Sequence, residues 1–144
     1  LYLRQYGTNS IDDRIRLCLR MFSLANQVSH DNHDLMYLSI YHDRGTLTPD
    51  CFNRFDAGIT VPESFSGLDR IARGQLPGGL YASLEVVVPL QFIHLFWIFL
   101  ICEWLPYTKY EIDCRPHFIR NLPTKASNLE DPQKVQLYLP IVVA

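Results

Sequence analysis

LPGGLYASLEVVVPLQFIHLFWIFLICEWL, Leu76 to Leu105, decides how the rest of the chain is read. It predicts a turn at Pro77-Gly78-Gly79, a strand over Leu80–Val88, and a long apolar helix from Pro89 that Trp104-Leu105-Pro106 closes. Proline suits a first helical position, where its missing N–H costs nothing. The run Val86–Cys102 carries no formally charged residue, so a membrane span has to be weighed. It falls short of the ~20 residues a span needs. It also contains Pro89, Gln91 and His94, and Glu85 and Glu103 flank it where basic residues would be expected. The reading taken is a helix buried within the protein or covered by a partner.

The same order opens the chain. Leu1–Tyr6 alternates as a strand, Gly7-Thr8-Asn9-Ser10 breaks it, and Ser10 with Asp13 resembles a capping box. A helix is predicted over about Ile11–Gln27, with Ile11, Ile15, Cys18, Phe22 and Ala25 on one face. Leu35–His42 then reads as a strand rich in aromatic and β-branched residues. Period two places Tyr37, Ser39 and Tyr41 on one face, and Met36, Leu38 and Ile40 on the other. A strand over Arg54–Val61 and a linker over Pro62–Gly67 end the first half. The second half adds a strand near Asp69–Leu76, then the quoted turn, strand and helix. A loop with Tyr107 and Tyr110 follows, then strands over Pro116–Leu122 and Val135–Val143.

At 144 residues the chain supports one domain with a real core. A hydrophobic share of 48% against 19% charged residues is a globular balance. The net charge of −2 argues against this segment gripping nucleic acid by itself, since neutralising phosphates takes a dense basic patch. The four cysteines, Cys18, Cys51, Cys102 and Cys114, form no CxxC pair. Reduced thiols in the cytoplasm are expected. His30, Asp31, His33 and Asp34 have the ingredients of a metal site, but the spacing is generic and a solvated loop is expected. No metal or cofactor is expected. Neither His42 with Asp43 nor Arg54 with Asp56 makes a convincing acid–base pair: neighbours on a strand face opposite ways, and an i, i+2 pair reads as a surface ion pair. No catalytic residue is expected.

Superposing Tyr2–Gly7 on Tyr81 onward, and Tyr37–Tyr41 on His117–Asn121, gives two strand–helix–strand–strand halves, about 1–66 and 67–144. The fold class expected is α+β: a duplicated βαββ motif with an antiparallel sheet or open barrel and two helices. A groove at the pseudo-two-fold is the expected ligand site.

At these residues the chain resembles the gyrase-inhibitor-like effector-binding family, found alone and as the C-terminal ligand domain of AraC-type and MerR-type transcription regulators. The resemblance rests on Tyr2-Leu3-Arg4 with Gly7, Ile40-Tyr41-His42-Asp43, Arg54-Phe55-Asp56-Ala57, Leu76-Pro77-Gly78-Gly79-Leu80-Tyr81-Ala82, Glu103-Trp104-Leu105-Pro106, Tyr110-Glu111, Pro116-x-Phe118 and Tyr138-Leu139-Pro140. It implies a groove for small, often cationic or amphiphilic molecules, with DNA binding left to a separate helix-turn-helix domain outside this chain. The family commonly carries an acid after Pro-x-Phe and a tyrosine two positions on; here Ile119 and Asn121 stand there. Ile119 offers a cation no counter-charge and cannot move a proton, which argues against the hydrolysis described for some members.

The expected ligand-binding residues are therefore Tyr37, Ser39, Tyr41, Trp97, His117, Ile119 and Asn121, forming an apolar, aromatic pocket for a neutral or weakly polar guest, with a degenerate pocket closed by its own side chains as the equal alternative. Gln91, His94, Ile98, Ile101 and Cys102 form a helix stripe expected at a partner interface, against a second copy or a DNA-binding domain. The whole is read as the effector domain of a bacterial AraC-type regulator, cytoplasmic and dimeric. A standalone gyrase-inhibitor-like protein acting by protein contact is the alternative, and a small-molecule hydrolase stands behind both.

Overall fold

Strand alternation and cross-strand register organise each half of the chain. The computed structural model describes every residue except 8–10, 29–34, 44–52, 64, 66–70 and 122–130. Ser10 of the expected capping box, the His30–Asp34 loop and Cys51 lie outside the described residues. By internal contacts the chain divides into two compact units, Leu1–Leu76 and Pro77–Ala144.

The first unit runs β1 (Tyr2–Tyr6), α1 (Ile11–Val28), β2 (Tyr37–Tyr41) and β3 (Arg54–Ile59). β3 lies between the other two strands, antiparallel to both. Arg4 stands opposite Asp56 on one side, and Ser39 opposite Ala57 on the other. Directly opposed residues share a face, so Leu3, Ala57 and Ser39 point one way while Arg4, Asp56 and Ile40 point the other. α1 covers the first face: Met21 and Ala25 are buried in a cluster with Leu1, Phe55, Ala57 and Ile59. The inner stripe of α1 is thus centred on Met21 and Ala25, a little displaced from the expected stripe, and Phe22 remains half-exposed. Among the described residues of Asp69–Leu76 no strand forms. That stretch makes a single bridge, Tyr2 N–H donating to Ala72 C=O at 2.9 Å.

The second unit runs β4 (Tyr81–Val88), a helical segment, β5 (Tyr110–Ile112), β6 (His117–Asn121) and β7 (Gln133–Val143). β7 pairs antiparallel with β4, β6 and β5. Its inward side chains Val135, Leu137, Leu139 and Ile141 are almost fully buried, as period-two alternation against a covered face demands. β5 replaces part of the loop expected around Tyr107 and Tyr110. Three residues carry too little alternation to reveal a strand, and it exists because Val143, Val142 and Ile141 are there to pair with it.

The helical segment changes pitch repeatedly. A 3-10 turn at Leu90–Phe92 leads into α2 (Ile93–Ile98), a π-helical stretch at Phe99–Trp104, and a closing 3-10 turn at Leu105–Tyr107. Pro89 caps the first turn from an extended backbone, φ −57° and ψ 139°, one step outside the helical position expected for it. The segment is long and apolar enough to cross a membrane by length and composition alone, with a mean hydropathy of 1.4. It is mostly exposed, so of the two expectations the helix buried within the protein is not met: within α2 and the π stretch only Ile93 and Leu100 are buried.

The turn at Gly78-Gly79 is clamped by Arg115. Its guanidinium donates to the carbonyls of Gly78 and Leu80 at 2.8 Å each and to Ile141 at 3.2 Å. It also pairs with Asp113 and lies 4.6 Å from the centre of the Tyr81 ring. Gly79 has a φ of +130°, and a Cβ there would run into Arg115. Gly79→Ala should therefore lower stability by about 1–3 kcal/mol, read as a shifted midpoint in urea denaturation; an unchanged midpoint would mean the turn relaxes freely.

Candidate ligand-binding site

Each unit presents one helix-covered sheet face, and the expected ligand residues on strands fall on these faces. In the first unit α1 lays successive turns along β2. Phe22 stacks on Tyr37 with ring centres 5.0 Å apart. Cys18 Sγ lies 3.6 Å from Ser39 Oγ, and the Arg14 guanidinium sits 5.3 Å from the Tyr41 ring centre. Residues 14, 18 and 22 are one helical row, matched to alternate residues of a strand. Ser39 is only 8% exposed. Burial pushes the Cys18 thiol up, against the opposing effect of the Ser39 contact, so it is no nucleophile at neutral pH. Burial likewise pushes the Tyr41 phenol up to about 12, despite Arg14 nearby. Tyr41 is therefore a neutral hydrogen-bonding group at physiological pH. Leu38 and Ile40, on the opposite face, are also buried.

In the second unit Leu84, Leu137 and Ile119 stand in one row across β4, β7 and β6. Leu84, Leu95, Phe96 and Phe99 line an open apolar recess of about 250 Å³. On the β6 side Trp97 meets His117 edge to face, ring centres 4.9 Å apart. Ile119 is only 2% exposed, and Asn121 shares its face by alternation. Trp104, seven residues after Trp97, instead stacks on Tyr110. The structure thus gathers Tyr37, Ser39 and Tyr41 under α1 and His117 under Trp97. Leu84, Leu95, Phe96 and Phe99 are not among the expected residues; alternation along β4 joined to helical spacing would have found them.

The stripe residues Gln91, His94, Ile98, Ile101 and Cys102 are all exposed. Ile98 is 53% exposed, and Leu95 and Phe99 beside it nearly as much. Among the described residues no cluster of His, Cys, Asp and Glu is suited to a metal ion.

One polar cluster lies outside what sequence spacing suggests. On the first unit's other face, Arg4 grips Asp56 with two hydrogen bonds of 2.7 and 2.8 Å, and His42 Nε2 lies 2.5 Å from the same carboxylate. Arg54, expected beside Asp56, pairs instead with Asp43 at 2.9 Å. Sequence spacing favours neighbours, whereas antiparallel register brings residue 4 opposite residue 56. Asp56 is 2% exposed. Burial alone would raise its carboxyl, but hydrogen bonds and charge from Arg4 and His42 outweigh it and hold Asp56 below the ordinary carboxylate value. With both carboxylate oxygens engaged, this is an anchor between β1 and β3 with no vacant reactive position.

Two βαββ units, the second with the short β5 added, each with a helix-covered face rich in aromatic and aliphatic side chains, define an α+β small-molecule-binding domain. The chain belongs to the GyrI-like small molecule binding domain family, whose profile matches residues 1–142. Comparison with curated proteins gave no match.

A carboxyl depressed on folding stabilises the native state above its unfolded value near 3.8 and loses that contribution as pH falls through and below it. Asp56→Asn should cost about 2–4 kcal/mol at pH 7, where it strips the counter-charge from Arg4. The gap between wild type and variant should narrow at pH 3, below the unfolded-state value, because proton uptake there favours the unfolded chain over the depressed native carboxyl. Urea denaturation at both pH values measures this, and an equal gap at the two would remove the ionised pair from the explanation.

Proposed function

We propose that the chain is the effector-binding domain of a bacterial, cytoplasmic AraC-type transcription regulator, acting by binding rather than by catalysis. Its guest is a neutral or weakly polar amphiphile. The observation that carries the ligand class is Ile119, buried in the helix-covered row Leu84–Leu137–Ile119 at the position where related domains commonly hold an acid. A buried isoleucine rewards apolar area and leaves a cation without a counter-charge. The apolar recess at Leu84, Leu95, Phe96 and Phe99 supports the same reading.

In this proposal the guest selects one arrangement of the domain over another, and a separate helix-turn-helix domain reports the shift at DNA. The same buried Ile119 argues against hydrolysis, because no ionisable group stands there to move a proton.

A thermal-shift series with matched cationic and neutral amphiphiles tests the ligand class. Neutral members should raise the melting temperature at least as much as their cationic partners. In Ile119→Glu the order should reverse. Stronger stabilisation of the wild type by cations would overturn the assignment.

A further inference from the structure

We propose that β4 is an intermolecular strand: its outer edge pairs antiparallel with the same edge of a second copy, joining two chains about a two-fold axis at Leu84. The inference is independent of which ligand the domain takes.

The hydrogen-bond phase of β4 is fixed at its start, where Ile141 N–H donates to Leu80 C=O at 3.1 Å. With the register Ala82–Leu139, Leu84–Leu137 and Val86–Val135, these residues exchange their backbone bonds with β7. Antiparallel pairing alternates, so the N–H and C=O groups of Tyr81, Ser83, Glu85 and Val87 point away from β7. Among the described residues no strand receives them: β7 is the one strand that pairs with β4. In the first unit the matching strand, β1, is treated differently. There the outward N–H of Tyr2 donates to Ala72 C=O, and Gly74 packs against the Tyr2 ring. The first copy of the motif meets the start of its outer edge, at Tyr2, with its own chain; among the described residues the second copy meets none of its edge.

An eight-residue edge strand with one charge and no proline lacks the usual protections against pairing. Its side chains fit a second copy in one register. Centring the two-fold on Leu84 places Tyr81 opposite Val87, and Ser83 opposite Glu85, of the other copy. All four outward residues then find backbone partners. Each Glu85, already bridged to Lys134 at 3.0 Å, faces a hydroxyl. Centring on Glu85 would oppose two carboxylates, which costs energy, and centring on Ser83 would leave both Val87 residues unpaired. Val87, 67% exposed, gains an aromatic cross-strand neighbour. On the other face Leu84 meets Leu84, next to the recess formed with Leu95, Phe96 and Phe99. The exposed apolar side chains Leu95 and Phe99 thereby turn toward a second copy of themselves.

Sedimentation velocity on the 144-residue chain should show a dimer at micromolar concentration. Ser83→Pro removes one outward N–H and leaves the β4–β7 ladder intact; it should sediment as a monomer that still unfolds cooperatively. If it fails to fold, Leu84→Cys in a Cys102→Ser, Cys114→Ser background tests the register directly, because the two introduced thiols would face each other across a non-hydrogen-bonded pair. Rapid oxidation to a covalent dimer is expected. A wild-type monomer at 100 µM (on the order of 100-fold above a micromolar Kd) would overturn the proposal. So would a Ser83→Pro dimer, or a dimer of the Leu84→Cys variant that does not cross-link. Co-flotation of a monomer with phosphatidylcholine vesicles would overturn it in favour of a bilayer as the partner of the apolar helix.

Discussion

The second unit depends on one strand. Gln133–Val143 pairs with three others, and its inward residues Val135, Leu137, Leu139 and Ile141 are sealed from water. A one-residue slip of this strand would turn that whole set outward and bring Gln136 and Tyr138 inward. Register is therefore held by the cost of exposing several large aliphatic side chains at once, on the order of 1.5–3 kcal/mol each. The row Leu84–Leu137–Ile119 inherits its place from this strand, as does the seat of Arg115 under the Gly78-Gly79 turn.

The first unit solves the same problem with a different balance. Its central strand β3 buries Phe55, Ala57 and Ile59 beneath α1 and holds Asp56 on the other face. A buried carboxylate is tolerated because Arg4 and His42 reach it from β1 and from the end of β2. Removing water from such a group is costly, and the hydrogen-bonded partners restore what water supplied. Polar specificity thus sits on one face of this sheet and aromatic packing on the other.

The strands and α1 are legible in the sequence because alternation and helical spacing are local signals. Tyr37–Tyr41 and Tyr81–Val88 can be placed nearly to the residue. The duplication is legible too, since the order of turn, strand and helix recurs. What escapes depends on pairing partners far along the chain. β5 is a strand only because Ile141–Val143 lies beside it, and Arg4 meets Asp56 only through the β1–β3 register. At the candidate site, the shared face of Tyr37, Ser39 and Tyr41 follows from period two. That the row of Arg14, Cys18 and Phe22 covers that face depends on the packing of α1. The exposure of the second helix is hidden from the sequence, because composition does not reveal how much of an apolar face finds a neighbour.

The π-helical stretch has a bearing on those sequence rules. Leu105 N–H reaches back to the carbonyl of Leu100, five residues away where α-helical spacing would give four. Counting by α-helical periodicity is sound through Ile98 and then falls behind by a residue. Trp97 and Trp104, which such counting puts on one face, consequently serve different neighbours, His117 and Tyr110. A phase slip of one residue lets a single uninterrupted apolar run address two separate surfaces with no proline or glycine between them.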